Sequence, residues 1–178
     1  MQSKQLKDAI ADTMLELLEE KHLDKITVVD LVNRCHVSRQ SFYYHYSDTM
    51  EVIEYIIEQK VEEAATMTFS ASTLEGEIEL FIDYYFEFYG LLQRIMLSPR
   101  GFNIYLALVK SVRRIIEEYR DSFTTTRKLT IEEGDLLLDF YSHGLVGFLI
   151  ERRMIREDDK ESLVKQVTAI LSFTPVFH

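Results

Sequence analysis

A chain of 178 residues with 47% hydrophobic side chains can bury a sizeable core, which excludes a disordered chain. Two prolines and six glycines leave few helix breakers, so the expected fold class is all-α. A net charge of −10 means that any attraction to nucleic acid must come from a local patch, and a single cysteine, Cys35, excludes an internal disulfide.

The first segment, "MQSKQLKDAIADTMLELLEE", carries charges throughout and does not read as a signal peptide. No apolar run approaches the ~20 residues of a membrane span, so the expectation is a cytoplasmic protein with no membrane partner. Leu6, Ile10, Met14, Leu17 and Leu18 recur at helical spacing and predict an amphipathic helix over 4–21. "HLDKI" ends it. Thr27 stands where a helix cap belongs, with Asp30 in the first turn of a short helix, "VVDLVNRC". After "HV", Ser38 can cap a second short helix, "RQSFYYHY", and Asp48 with Glu51 marks the start of a longer one. "TFSASTLEGE" breaks that helix, and the boundary is expected near 68–73. Residues 1–60 would form one domain, with the first part of a longer helix running on to about 69, and 70–178 a second. Further helices are expected over 74–97, 101–122, 131–153 and 160–173, with "SPRG" a turn and Thr130 and Glu133 a capping box.

Two short helices joined by about three residues and packed on a longer first helix make a helix-turn-helix. Leu31, Cys35, Val37, Phe42 and Tyr46 can face one core, over Leu17 and Ile53. Arg39, Gln40, Ser41, Tyr43, Tyr44 and His45 remain outward, and no Asp or Glu occurs from Asn33 to Ser47. Arginine can pair with guanine and glutamine with adenine, while tyrosine hydroxyls and histidine suit phosphates. An acid-free face also avoids repulsion from a duplex carrying a charge every ~1.7 Å. The competing reading is a solvated polar face of a helical bundle.

The segment "ITVVDLVNRCHVSRQSFYYHYSDTMEVI" resembles the DNA-binding part of TetR-type transcriptional regulators over residues 6–57, most specifically in "VSRQSFYYHY". The resemblance implies a larger helical second domain that dimerises through its last two long helices and often holds an effector pocket. It also implies phosphate contacts from Thr27, Ser38, Tyr43 and His45, with Arg39, Gln40 and Tyr44 nearest the bases. There are two departures. The family usually has Gly where this chain has His36, and Lys where this chain has Thr49, the remaining candidate DNA contact.

In the second domain, "LFIDYYFEFYGLLQRIML" and "FYSHGLVGFLIERRMI" are loosely similar to a TetR subgroup that includes DhaS-like activators of dihydroxyacetone utilisation. The candidate dimer interface is Gly144, Leu145, Gly147, Phe148, Leu163, Val167 and Leu171, where small residues beside large apolar ones permit close helix packing. An ordinary intrachain contact is the alternative. Tyr85, Tyr89, Met96, Tyr105 and Phe140 are candidates to line an effector cavity or plain core. His143 reads either as a ligand contact or as a satisfied core histidine. Cys35 reads as inert packing.

No GxSxG, phosphate-binding Gly-rich loop, HExxH or helical ExxH is present, and the five histidines have no metal-ligand spacing, so neither enzyme nor cofactor is expected. The sequence predicts a homodimeric regulator binding operator DNA, most simply a repressor released by a small-molecule effector. The alternatives are an activator working with a partner protein and a helical module without DNA binding.

Overall fold

The computed structural model describes the backbone of residues 3–118, 130–151 and 159–172, with side chains for 4–118, 130–151 and 159–169. Eight α-helices lie within them: α1 (Ser3–Glu20), α2 (Val28–Arg34), α3 (Arg39–His45), α4 (Thr49–Thr68), α5 (Leu74–Met96), α6 (Gly101–Glu118), α7 (Ile131–Glu151) and α8 (Lys160–Ser172). A short 3-10 helix, Leu23–Lys25, follows α1, and there is no strand among the described residues. The expected helical ends at 119–122, 152–153 and 173 lie outside the described residues, as does the side chain of Leu171.

The starts of the helices are chemical. At α2 the Thr27 amide donates to Asp30 Oδ2 at 2.8 Å and the Asp30 amide donates back to Thr27 Oγ1 at 3.2 Å, a full capping box. Ser38 Oγ accepts from the Ser41 amide at 3.0 Å and opens α3. Asp48 Oδ1 accepts from the amides of Met50 and Glu51 at 2.7 and 3.0 Å, while Glu51 reaches back to the Ser47 amide at 2.6 Å. Thr130 and Glu133 cap α7 reciprocally, at 2.9 and 3.2 Å.

The turn between α2 and α3 is a Schellman closure. His36 N–H donates to Asn33 O and Val37 N–H to Val32 O, at 3.4 and 3.0 Å. That geometry needs a left-handed residue, and His36 supplies it with φ 55°.

Two compact units make up the chain. One comprises 1–59 with 91–107, the other 60–90 with 108–178, so α4, α5 and α6 each contribute to both. The first unit's core holds Ile10, Met14, Leu17, Leu31, Phe42, Tyr46 and Ile53, all buried, while Cys35 and Val37 are half-buried at its edge. Two phenols tie α1 to the rest of the unit. Tyr46 OH donates to Lys7 O at 3.0 Å and Tyr55 OH to Asp8 Oδ1 at 2.6 Å, with the Lys7 ammonium 4.2 Å from the centre of the Tyr55 ring. Burial pushes both phenols well up, and the Asp8 carboxylate adds to the effect at Tyr55, which reaches about 12. In the second unit Ile78, Ile82, Leu163 and Val164 form a core, flanked by Leu74, Phe81, Phe86, Phe148 and Val167.

Candidate nucleic-acid interface

Helix α3 is short, and its orientation is set by what it buries. Phe42 is fully enclosed, with Tyr46 just past the helix end packed tilted against it at 5.9 Å between ring centres. That anchoring turns Arg39, Gln40, Tyr43 and Tyr44 to the outside, where Tyr43 is 57% and Tyr44 80% exposed. Both rings present a flat face and a hydroxyl to solvent. Ser41 and His45 are half-buried, and the Tyr44 ring stands edge-on to His45 at 5.0 Å. Leu6, Gln40, Ser41, Tyr44 and His45 line an open cleft of about 260 Å³. The first turn of α3 carries no acid, and Arg39 has no carboxylate within ion-pair distance among the described residues. The sequence-predicted face is thus brought together on one helix.

Two expected contacts stand differently. Thr27 is exposed, but its hydroxyl already donates to Asp30 Oδ2 at 2.7 Å. Asp30 in turn is paired with Lys21 at 2.9 Å, and the hydrogen bonds from Lys21 and then Thr27 pull its carboxyl down to about 2. Thr49 is a correction. Only 8% of it is exposed, and its Oγ1 accepts from Arg100 Nη1 at 3.4 Å, so it presents nothing to a duplex. Arg100 belongs to the turn read from the sequence as "SPRG", and no local pattern marks it as a neighbour of Thr49.

The second-domain candidates are dispersed. Tyr85 is buried, donates its OH to Leu149 O at 3.0 Å and packs on Tyr89 at 5.4 Å. Met96 and Tyr105 belong to the other compact unit, both half-buried. Phe140 is 71% exposed, so it lines no cavity of this chain, and His143 is exposed too, which removes the core-histidine reading. Among the candidate interface residues, Leu163 is core, with Phe148 and Val167 packed against it, so these three make intrachain contacts. Gly144 is exposed, while Leu145 and Gly147 are half-buried. Among the described residues no group of three His, Cys, Asp or Glu could hold a metal ion, and no helix is long and apolar enough to cross a membrane.

No family model matches the sequence, and no curated protein matches it. Solved structures match at the level of fold. A TetR transcriptional regulator from Streptococcus agalactiae gives a TM-score of 0.62 at 20% identity, over 96% of this chain and 95% of its own. The dihydroxyacetone kinase operon activator DhaS gives 0.60 at 17% identity, over 94% of each chain. The TetR family repressor AlkX from a Dietzia strain gives 0.61 at 12% identity, over 93% and 96%. The fold is therefore the all-α fold of TetR-type transcriptional regulators, and these three neighbours are described as a regulator, an operon activator and a repressor.

Proposed function

We propose that this chain is a homodimeric, DNA-binding transcriptional regulator of the TetR type, without catalytic activity, working in the cytoplasm. The observation that carries the reading is the outward face of α3, which combines Arg39 and Gln40 with two exposed tyrosines and no carboxylate. Arg39, Gln40 and Tyr44 are assigned to the bases, and Ser38, Tyr43 and His45 to phosphates. The unit of 1–59 with 91–107 serves as the reading head, and the unit of 60–90 with 108–178 as the dimerisation and effector domain.

The dimer contact is assigned to the face of α7 that Leu136, Phe140, Gly144 and Gly147 share at helical spacing. Leu136 and Phe140 are 72% and 71% exposed in the single chain, which a second copy would cover. Repression relieved by a small-molecule effector is the simplest mode, because a change in head spacing from ~34–36 Å weakens binding to successive major grooves. Activation with a partner protein is the second reading, favoured by the fold shared with the operon activator DhaS.

Selection from random duplexes at low salt tests the whole. The expected result is enrichment of a two-fold symmetric site. Enrichment of no site at all would sink the reading.

A further inference from the structure

The N-terminal unit holds four arginines, and they divide by partner. Arg34 is tied to Glu16 and Glu20, and Arg94 to Glu19. Arg39 and Arg100 have no carboxylate within ion-pair distance among the described residues. Arg39 lies on α3. Arg100 is exposed, and its guanidinium makes one long hydrogen bond, 3.4 Å to Thr49 Oγ1, which leaves most of its five N–H donors unengaged.

Its position is fixed by the fold. Ser98 Oγ donates to Asp24 Oδ1 at 2.7 Å and accepts from the Arg100 amide at 3.1 Å, so the turn before α6 is pinned to the segment after α1. The next residue must be glycine, since a Cβ on Gly101 would stand 2.7 Å from Met96 O. Arg100 is therefore held against the first residue of α4, which is four positions beyond the end of α3 and within about 14 Å of it along the chain. Asp48 and Glu51 flank that point with two carboxylates, which would repel a passing phosphate strand. A free guanidinium beside them offsets that repulsion and offers a forked donor suited to phosphate oxygens.

We propose that Arg100 is a duplex phosphate contact, and that the binding surface runs from α3 over the start of α4 onto the turn before α6. The inference rests on the DNA-binding reading given above. Its test uses the full chain and a duplex recovered by selection, with affinity measured over a series of salt concentrations. Arg100→Gln and Arg100→Met are both made, so that a neutral variant with wild-type circular dichroism carries the comparison. Loss of one phosphate contact lowers the slope of log affinity against log salt by about 1 per reading head. The loss of affinity is the same factor on the selected site and on a scrambled duplex, because a phosphate carries no base identity. Arg100→Lys keeps the slope. Thr49→Val, which removes the hydrogen bond but not the charge, keeps it as well. If the wild type binds and the neutral variants keep its slope, Arg100 is no phosphate contact while the DNA reading stands. Arg100 is equally excluded if Thr49→Val lowers the slope as much as they do. A wild type that binds no duplex overturns the reading and this inference together.

Discussion

Arg39, Gln40, Tyr43 and Tyr44 are solvent-facing because Phe42 and Tyr46 take the buried side of the same short helix. Their proposed roles separate under mutation. Gln40→Ala relaxes preference at one base pair per half-site, at about 1–3 kcal/mol per contact, in binding measured against a set of single-base variants. Tyr43→Phe lowers affinity for every sequence by a common factor, and equal loss of discrimination in both variants would contradict the assignment. Asp30 gives a second prediction, in stability. Its folded carboxyl lies at about 2, below the ordinary 3.8, so its contribution is fully present above about pH 4 and disappears as pH falls through about 2. Asp30→Asn loses the charged half of the α2 capping box. The cost near pH 7 is about 0.5–1 kcal/mol, with the partial exposure of the Lys21 pair keeping it low. The gap from the wild type narrows on acidification. Urea melts at neutral pH and near pH 2.5 check it, and a gap independent of pH would refute the linkage.

At the scale of elements, the turn between α2 and α3 carries strain that a sequence change can relieve. His36 holds φ 55°, a conformation that costs a non-glycine residue about 1–2 kcal/mol. His36→Gly is expected to stabilise the N-terminal unit by about 0.5–1 kcal/mol, part of the gain being returned to the freer unfolded chain. Base preference should not change, since His36 is not on α3. A thermal melt that falls instead would show that the imidazole makes an interaction outweighing the strain. The helices themselves were legible in the sequence because Thr27, Ser38, Asp48 and Thr130 announce their starts and few breakers interrupt them. The outward side of α3 was legible for a related reason, as composition along one short helix reveals which residues are left over once the core is assigned. Thr49 and Arg100 were not legible. They meet across 51 positions, and a contact of that separation leaves no trace in local periodicity. The surroundings of Phe140 and Leu163 were hidden for the same cause. Helical spacing shows that a face is apolar, but not whether this chain or another molecule covers it.

At the scale of the molecule, the assignment of α7 to the dimer makes a prediction that the single chain can support. A Cβ placed on Gly147 meets no heavy atom within 4 Å, so the first carbon of a larger side chain has open space in the single chain. Gly147→Leu should therefore keep the helical circular dichroism while weakening association, and duplex affinity should drop because one head makes half the contacts. Sedimentation of both proteins at micromolar concentration checks this, and a wild type that stays monomeric yet binds a palindrome tightly would remove the interface. The make-up of the N-terminal unit also limits how the protein can be recombined. Residues 91–107 belong to it, and from there Arg94 reaches Glu19, Ser98 reaches Asp24 and Arg100 reaches Thr49. A chimera that grafts residues 1–60 alone onto a foreign regulatory half would strip all three partners away. The cassette to transplant is two separate stretches of chain, and any chimera built on the N-terminal unit has to import both.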